Sequence, residues 1–297
     1  MKSLKLIFVV TLGLLTALVA VAGYLAHSLT KVVRVPIRED PLVWGLEYED
    51  VSFPGTVDRL RLRGWYIPAK DSQHCIIMVH GSEQHRADPA INTLGIAKEL
   101  VGHGYNVLMF DLRGHGESAG SHMSAGYYEQ RDLEGAVAYV RGRGISPENI
   151  GLLGFSLGAA TALLTAAGDE QVRAIVADSC YANPLELVQT KLRRRSRPPT
   201  VVVPLVRVMV RLLYGIDFAR VRPIDAVSRI TPRPILFIHG QADEAVPVEH
   251  SLRLFQAAAN PRSEVWVVPD AAHVGSYLTR PEEYMERITA FFNRHLR

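Results

Sequence analysis

The sequence predicts an α/β protein: a mostly parallel, eight-stranded sheet with helices on both faces. Three observations lead there. Short apolar runs alternate with helically spaced segments from about residue 46 onward. Turn residues separate the two kinds of segment. The residues able to do chemistry fall just beyond the carboxyl ends of the predicted strands, where such sheets open to ligands.

The 297 residues suit one large domain with an appendage. Hydrophobic residues make up 48% and charged residues 21%, which is ordinary globular usage. A net charge of +3 gives no argument for nucleic acid as a partner. The two cysteines, Cys75 and Cys180, lie in apolar strand-like runs and read as buried thiols.

The chain divides into residues 1–30, a linker over 31–45, and a globular domain over 46–297. From Leu6 to Leu29 the chain is almost wholly apolar, long enough to cross a bilayer as a helix. A single-pass N-terminal membrane anchor is the first reading. A cleaved signal, with Ala20-Val21-Ala22 as the cleavage pattern, is the second, and a core helix is the third. Lys2 and Lys5 before the segment balance Lys31, Arg34 and Arg38 after it, so charge hardly orients it. A short N-terminal tail left inside would put the domain outside the cytoplasm.

Trp44 to Arg63 reads as a hairpin broken at Pro54-Gly55. Strands follow at Cys75–Val79, Tyr105–Phe110, Asn149–Gly154, Val172–Ala177, Ile235–Ile238 and Val265–Val268. Helices are expected over Pro89–Val101, Ser124–Val140, Leu157–Ala167, Val248–Ala259 and Pro281–Leu296. Residues 182–231 separate two strands by far more than a loop needs, and read as a helical cap insertion.

The central motif is Gly154-Phe155-Ser156-Leu157-Gly158, between a strand and a small-residue helix. A G-x-S-x-G there makes a tight turn that projects the serine hydroxyl, with Gly154 and Gly158 sparing a backbone collision. Ser156 is the candidate nucleophile, and it needs a base. Asp243 follows the strand PILFI, and His273 follows the strand VWVV, in the order nucleophile, acid, histidine. Asp270 and Glu244 are rival acids. An oxyanion needs two donors, and the amides of Ser82, after His80-Gly81, and of Leu157 are the candidates. Asp111 and Arg113 in DLRGHGES read as a structural network, and His115 precedes the serine, against that order.

These landmarks together (His80-Gly81, DLRGHGES, GFSLG, HGQADEAVP and the late His273) resemble the α/β-hydrolase superfamily over about residues 46–297. The apolar leader and short insertion resemble its Bem46-like and ABHD13/ABHD17-like branch. The resemblance implies the α/β-hydrolase fold and a Ser156–His273–Asp243 triad strongly, and substrate weakly. Some relatives are acyl-protein thioesterases with cysteine-rich N-termini; this chain carries an apolar span without cysteine there.

The function expected is hydrolysis of an ester or thioester through an acyl-enzyme, on a small-molecule or lipidic acyl substrate. A serine peptidase is the alternative, with Glu83, Glu117 or Glu244 able to meet a free amino terminus. A non-catalytic binding protein is the third reading. No metal or other cofactor is expected, since neither a ligand cluster nor a phosphate-cradling loop occurs. In the insertion, Lys191, Arg193, Arg194, Arg195 and Arg197 precede an apolar helix bearing Arg207 and Arg211. It reads as a packed cap with a solvated basic face, or as a lid resting on an anionic membrane.

Overall fold

The computed structural model describes residues 2–187 and 202–297. Its eight strands are β1 (Glu49–Pro54), β2 (Arg61–Ile67), β3 (Cys75–Val79), β4 (Asn106–Phe110), β5 (Ile150–Phe155), β6 (Ala174–Asp178), β7 (Ile235–Gly240) and β8 (Glu264–Val268). They form one sheet in the order β1-β2-β4-β3-β5-β6-β7-β8. The β1–β2 and β2–β4 pairs are antiparallel, and all the others are parallel. This is the α/β-hydrolase fold that the sequence predicts.

Every residue of β3, β4, β5, β6 and β7 is buried. Both faces of a parallel sheet are covered by its crossover helices, so continuous apolar runs rather than alternation mark these strands. On one face pack α3 (Glu129–Gly142), α4 (Leu157–Gly168) and α6 (Glu249–Ala258). On the other pack α2 (Thr93–Gly102) and α7 (Pro281–His295). The parallel strands all point their carboxyl ends to one edge, and the loops leaving that edge carry His80, Asp111, Ser156, Ser179, Asp243 and His273.

Several boundaries differ from the sequence reading, for local reasons. Trp44 belongs to a 3-10 turn, Pro41–Trp44, capped by the Asp40 side chain, and the hairpin strands begin only at Glu49. α2 starts at Thr93, not Pro89, because the Asn92 side chain accepts the amide of Gly95 and caps the helix there. α3 starts at Glu129 rather than Ser124. The Glu129 carboxylate accepts the amides of Ser124 and Gly126 and the Ser124 hydroxyl, tying the preceding residues into a turn.

The N-terminal helix, α1, runs from Lys2 to Thr30 and is long and apolar enough to cross a membrane. Only Ala22, Ala26 and Thr30 of it are buried, so it is not a core helix. Its last turns pack on α5 (Val202–Tyr214), a helix between β6 and β7, where Val206, Val210 and Ile216 close a small apolar cluster. The basic run from Lys191 to Arg197 lies outside the described residues. Arg34 is not a loose flanking charge. Its guanidinium donates to the carbonyls of His115, Gly116, Ser118 and Gly120, joining the segment after α1 to the DLRGHGES loop.

Candidate active site

Ser156 sits between β5 and α4 at φ 51°, ψ −109°, a backbone conformation that a residue with a Cβ rarely adopts. The turn is held because its neighbours leave no other path. A Cβ on Gly158 would lie 2.1 Å from the carbonyl oxygen of Val79, and one on Gly154 would lie 2.5 Å from that of Gly158. The amide of Ser156 donates to the carbonyl of Asp178 at 2.9 Å, pinning the turn to β6. Helix α4 can therefore start only by swinging the serine up out of the sheet edge.

The two loops after β7 and β8 bring an acid and an imidazole to that serine. His273 Nε2 is 3.0 Å from Ser156 Oγ, and His273 Nδ1 is 2.7 Å from Asp243 Oδ2. With Nδ1–H donating to the carboxylate, Nε2 is left to accept the serine hydroxyl proton. The other carboxylate oxygen of Asp243 accepts the amides of Ala245 at 2.9 Å and Val246 at 2.8 Å. Burial pushes the Asp243 carboxyl up, but hydrogen bonds from His239 and His273 outweigh it and hold the group well below the usual carboxylate range. Asp270 and Glu244 are exposed and outside this row.

Gly81 lies directly over the nucleophile, the place for its missing Cβ being 3.6 Å from Ser156 Cβ. Ser82 follows it at the surface, and Leu157 opens α4, where first-turn amides have no partner within the helix. The bend that carries Ser82 is tied down by two histidines. His80 donates from Nδ1 to the carbonyl of Gly81 at 2.6 Å and accepts the Leu112 amide on Nε2 at 3.0 Å. His115 donates from Nδ1 to the carbonyl of Arg113 and accepts the Glu83 amide on Nε2 at 3.3 Å. Both rings are neutral in this arrangement, and burial holds both below the ordinary histidine range. His115 is thus a brace for the loop, while His273 is the imidazole that meets Ser156.

Asp111 and Arg113 form the structural network expected of them. Asp111 pairs with Arg86, which also reaches Glu117, while Arg113 spans Asp132 and Asp58. Glu117 is thereby already engaged.

Three residues around the site were not singled out from sequence. His239 is wholly buried at the end of β7, its Nε2 2.8 Å from the carbonyl of Val246 and 3.2 Å from Asp243 Oδ2. Both neighbours are acceptors, so Nε2 carries the proton and Nδ1 accepts the Ser251 hydroxyl at 2.6 Å. Asp243 Oδ2 therefore accepts from His273 and faces the Nε2–H that His239 gives to Val246. Gly240 permits the approach of the acid and histidine loops, since a Cβ there would meet the carbonyl of Ala271 at 2.2 Å. Ser179 accepts the amide of Val274 at 3.1 Å and so holds the residue beside His273. The HG ahead of Asp243 was the only sequence signal for any of these.

A family model described as alpha/beta hydrolase family matches residues 76–287. The chain is similar to the uncharacterised protein YqkD of Bacillus subtilis, 28% identical over 235 residues covering 78% of this chain and 75% of that one. It is similar to the alpha/beta hydrolase domain-containing protein WAV2 of Arabidopsis thaliana, 26% identical with 86% and 82% covered. Among solved structures, the Pyrococcus furiosus esterase Pf2001 superposes with a TM-score of 0.75 at 28% identity, covering 91% of this chain and 99% of that one.

Proposed function

The chain belongs to the alpha/beta hydrolase family, and from that premise we propose that it is a serine hydrolase of esters or thioesters, working through an acyl-enzyme. The likeness to an esterase supports hydrolysis in general. The observation that carries the finer reading is the unbroken row Ser156 Oγ, His273 Nε2, His273 Nδ1, Asp243 Oδ2, with gaps of 3.0 Å and 2.7 Å.

In this reading Ser156 attacks the acyl carbon as its proton passes to His273 Nε2, and Asp243 stabilises the imidazolium. The carbonyl oxygen gains negative charge, which the amides of Ser82 and Leu157 receive. Collapse expels the alcohol or thiol, which takes the proton from His273. Water then attacks the acyl-enzyme with His273 again as base, returning Ser156 and a carboxylic acid. The helix α1 serves as a membrane anchor in the manner of the Bem46-like branch, and lipophilic acyl groups are the substrate class that such a location favours.

A fluorophosphonate probe tests the reading. Labelling of the native chain and none of Ser156→Ala is expected. An unlabelled, well-folded native chain defeats it.

A further inference from the structure

A cavity of about 540 Å³ lies between residues 35–44, which follow α1, and the loop 85–94 that leads into α2. It shares no lining residue with the row Ser156, His273, Asp243 or with Ser82 and Leu157. Both walls are fixed by contacts of their own. Arg34 ties one end of the first wall to the loop 115–120, and the turn Pro41–Trp44, capped by Asp40, holds the other. In the second wall the Arg86 amide donates to Asp111, and the Thr93 hydroxyl donates to the carbonyl of Arg86 at 3.0 Å. The shape is thus preformed, as ligand sites usually are.

Most of the lining is apolar, from Val35, Pro36, Trp44, Ala87, Pro89 and Leu94. Asp88 lies among them, only 4% exposed. Its Oδ1 accepts the amide of Ala90 at 2.9 Å. Its Oδ2 accepts no hydrogen bond and meets no cation among the described residues. The local turn needs only the first oxygen. The second belongs to a buried carboxylate without a partner, which is costly in an apolar setting. Burial accordingly pushes this carboxyl up from its ordinary value.

The other polar groups of the lining do not supply the missing cation. His85 is neutral, since its Nδ1 accepts the amide of Ala87 at 3.1 Å. Arg38 and Glu39 are exposed neighbours of opposite sign, and Arg38 forms no ion pair with Asp88. Asp88 therefore leaves the cavity with one net negative charge, beside the aromatic ring of Trp44.

We propose that this cavity binds an organic ammonium ion with an apolar body. The ammonium N–H donates to Asp88 Oδ2, and the body packs on Trp44 and Leu94. The proposal does not rest on the hydrolase chemistry.

The test uses the full chain in maltoside micelles, with 5-fluorotryptophan at its three tryptophans. Trp44→Phe assigns the Trp44 fluorine signal. Phenethylammonium is the probe, and neutral phenethyl alcohol is its control. The ammonium ion should move the Trp44 signal saturably at about millimolar concentration, with Trp266 unmoved. The alcohol should bind about tenfold more weakly, the worth of one hydrogen bond to a charged group. Asp88→Asn, whose amide oxygen can still accept from Ala90, should lose a similar factor for the ammonium ion. Val35→Phe narrows the cavity from a half-buried position and should weaken both probes. Equal binding of the two probes overturns the proposal, and so does undiminished binding by folded Asp88→Asn. A Trp44 signal that does not saturate, or that moves together with Trp266, reports the micelle and also overturns it. If Asp88→Asn does not fold, the two probes on the native chain and on Val35→Phe decide: undiminished binding by Val35→Phe places the ammonium ion elsewhere and overturns the site.

Discussion

Asp243 Oδ2 lies within reach of two imidazoles, and the two do different work. His273 at 2.7 Å can exchange its proton with Ser156, whereas His239 at 3.2 Å is locked by Val246 and Ser251 into one tautomer. His239 is then a fixed dipole that disperses the charge of the carboxylate. Removing it leaves the charge concentrated, which strengthens the hold of Asp243 on a protonated His273. His239→Leu should therefore lower kcat/KM at neutral pH by up to about tenfold, because more of His273 is then held in the protonated form that cannot accept the serine proton. The acid limb of the kcat/KM profile should also move to higher pH. His239→Gln, whose amide nitrogen can reach the Nε2 position, should restore part of both. Profiles of ester hydrolysis by the three forms check this; a loss of activity with the limb unmoved would make His239 a packing residue. The candidates for nucleophile, acid and base could be named from sequence because a short motif or strand end announces each one. His239 could not, because its role depends on a tautomer set by the Val246 carbonyl, which only the folded loop brings to Nε2.

At the scale of elements, the loops of the site are fastened by contacts between segments far apart in the chain. Arg34 donates to four carbonyls of the loop 115–120 from more than 80 residues away. That loop carries His115, which braces Glu83 beside the proposed oxyanion donor. Arg34→Ala should cost about 1–2 kcal/mol, allowing for its partial exposure. It should also speed amide exchange in the loop selectively. Arg34→Lys should not rescue, because an ammonium cannot span four acceptors as a planar fork does. Thermal unfolding and hydrogen exchange on detergent-solubilised chain would show it; equal losses across the whole sheet would refute the clamp. From sequence, Arg34 read only as a charge flanking an apolar helix. Strands β3 to β7 were legible because burial on both faces demands continuous apolar residues. The starts of α2 and α3 were not, since a side-chain cap from Asn92 and a carboxylate clamp from Glu129 fix them against the apolar periodicity.

Over the whole molecule, buried ionisable groups pull stability in opposite directions as pH changes. His80 and His115 have folded values below the ordinary one. The unfolded chain therefore takes up their protons first, and stability falls as pH drops below about 6.5. Asp243, held low, adds to this further down, its contribution being lost as pH falls below the ordinary carboxylate range. Asp178 acts the other way. It is wholly buried at the end of β6, accepts the Ser179 hydroxyl on one oxygen, and has the Tyr284 hydroxyl near it without a well-formed hydrogen bond on the other. Burial pushes its carboxyl up to about 6 from 3.8, so the folded state holds the proton longer than the unfolded chain does. Stability attributable to Asp178 is complete below 3.8 and is lost as pH rises through about 6. The displacement corresponds to roughly 3 kcal/mol that the native fold forgoes at neutral pH. Asp178→Asn cannot ionise, so relative to the native chain it should gain about that much more stability near pH 7 than near pH 4. Its stability should also climb more steeply with pH between those limits, the histidines then acting without opposition. Denaturant titrations of both forms across that range decide the matter. Parallel stability curves would mean that Asp178 does not titrate there, and that the fold carries no such penalty beneath its candidate active site.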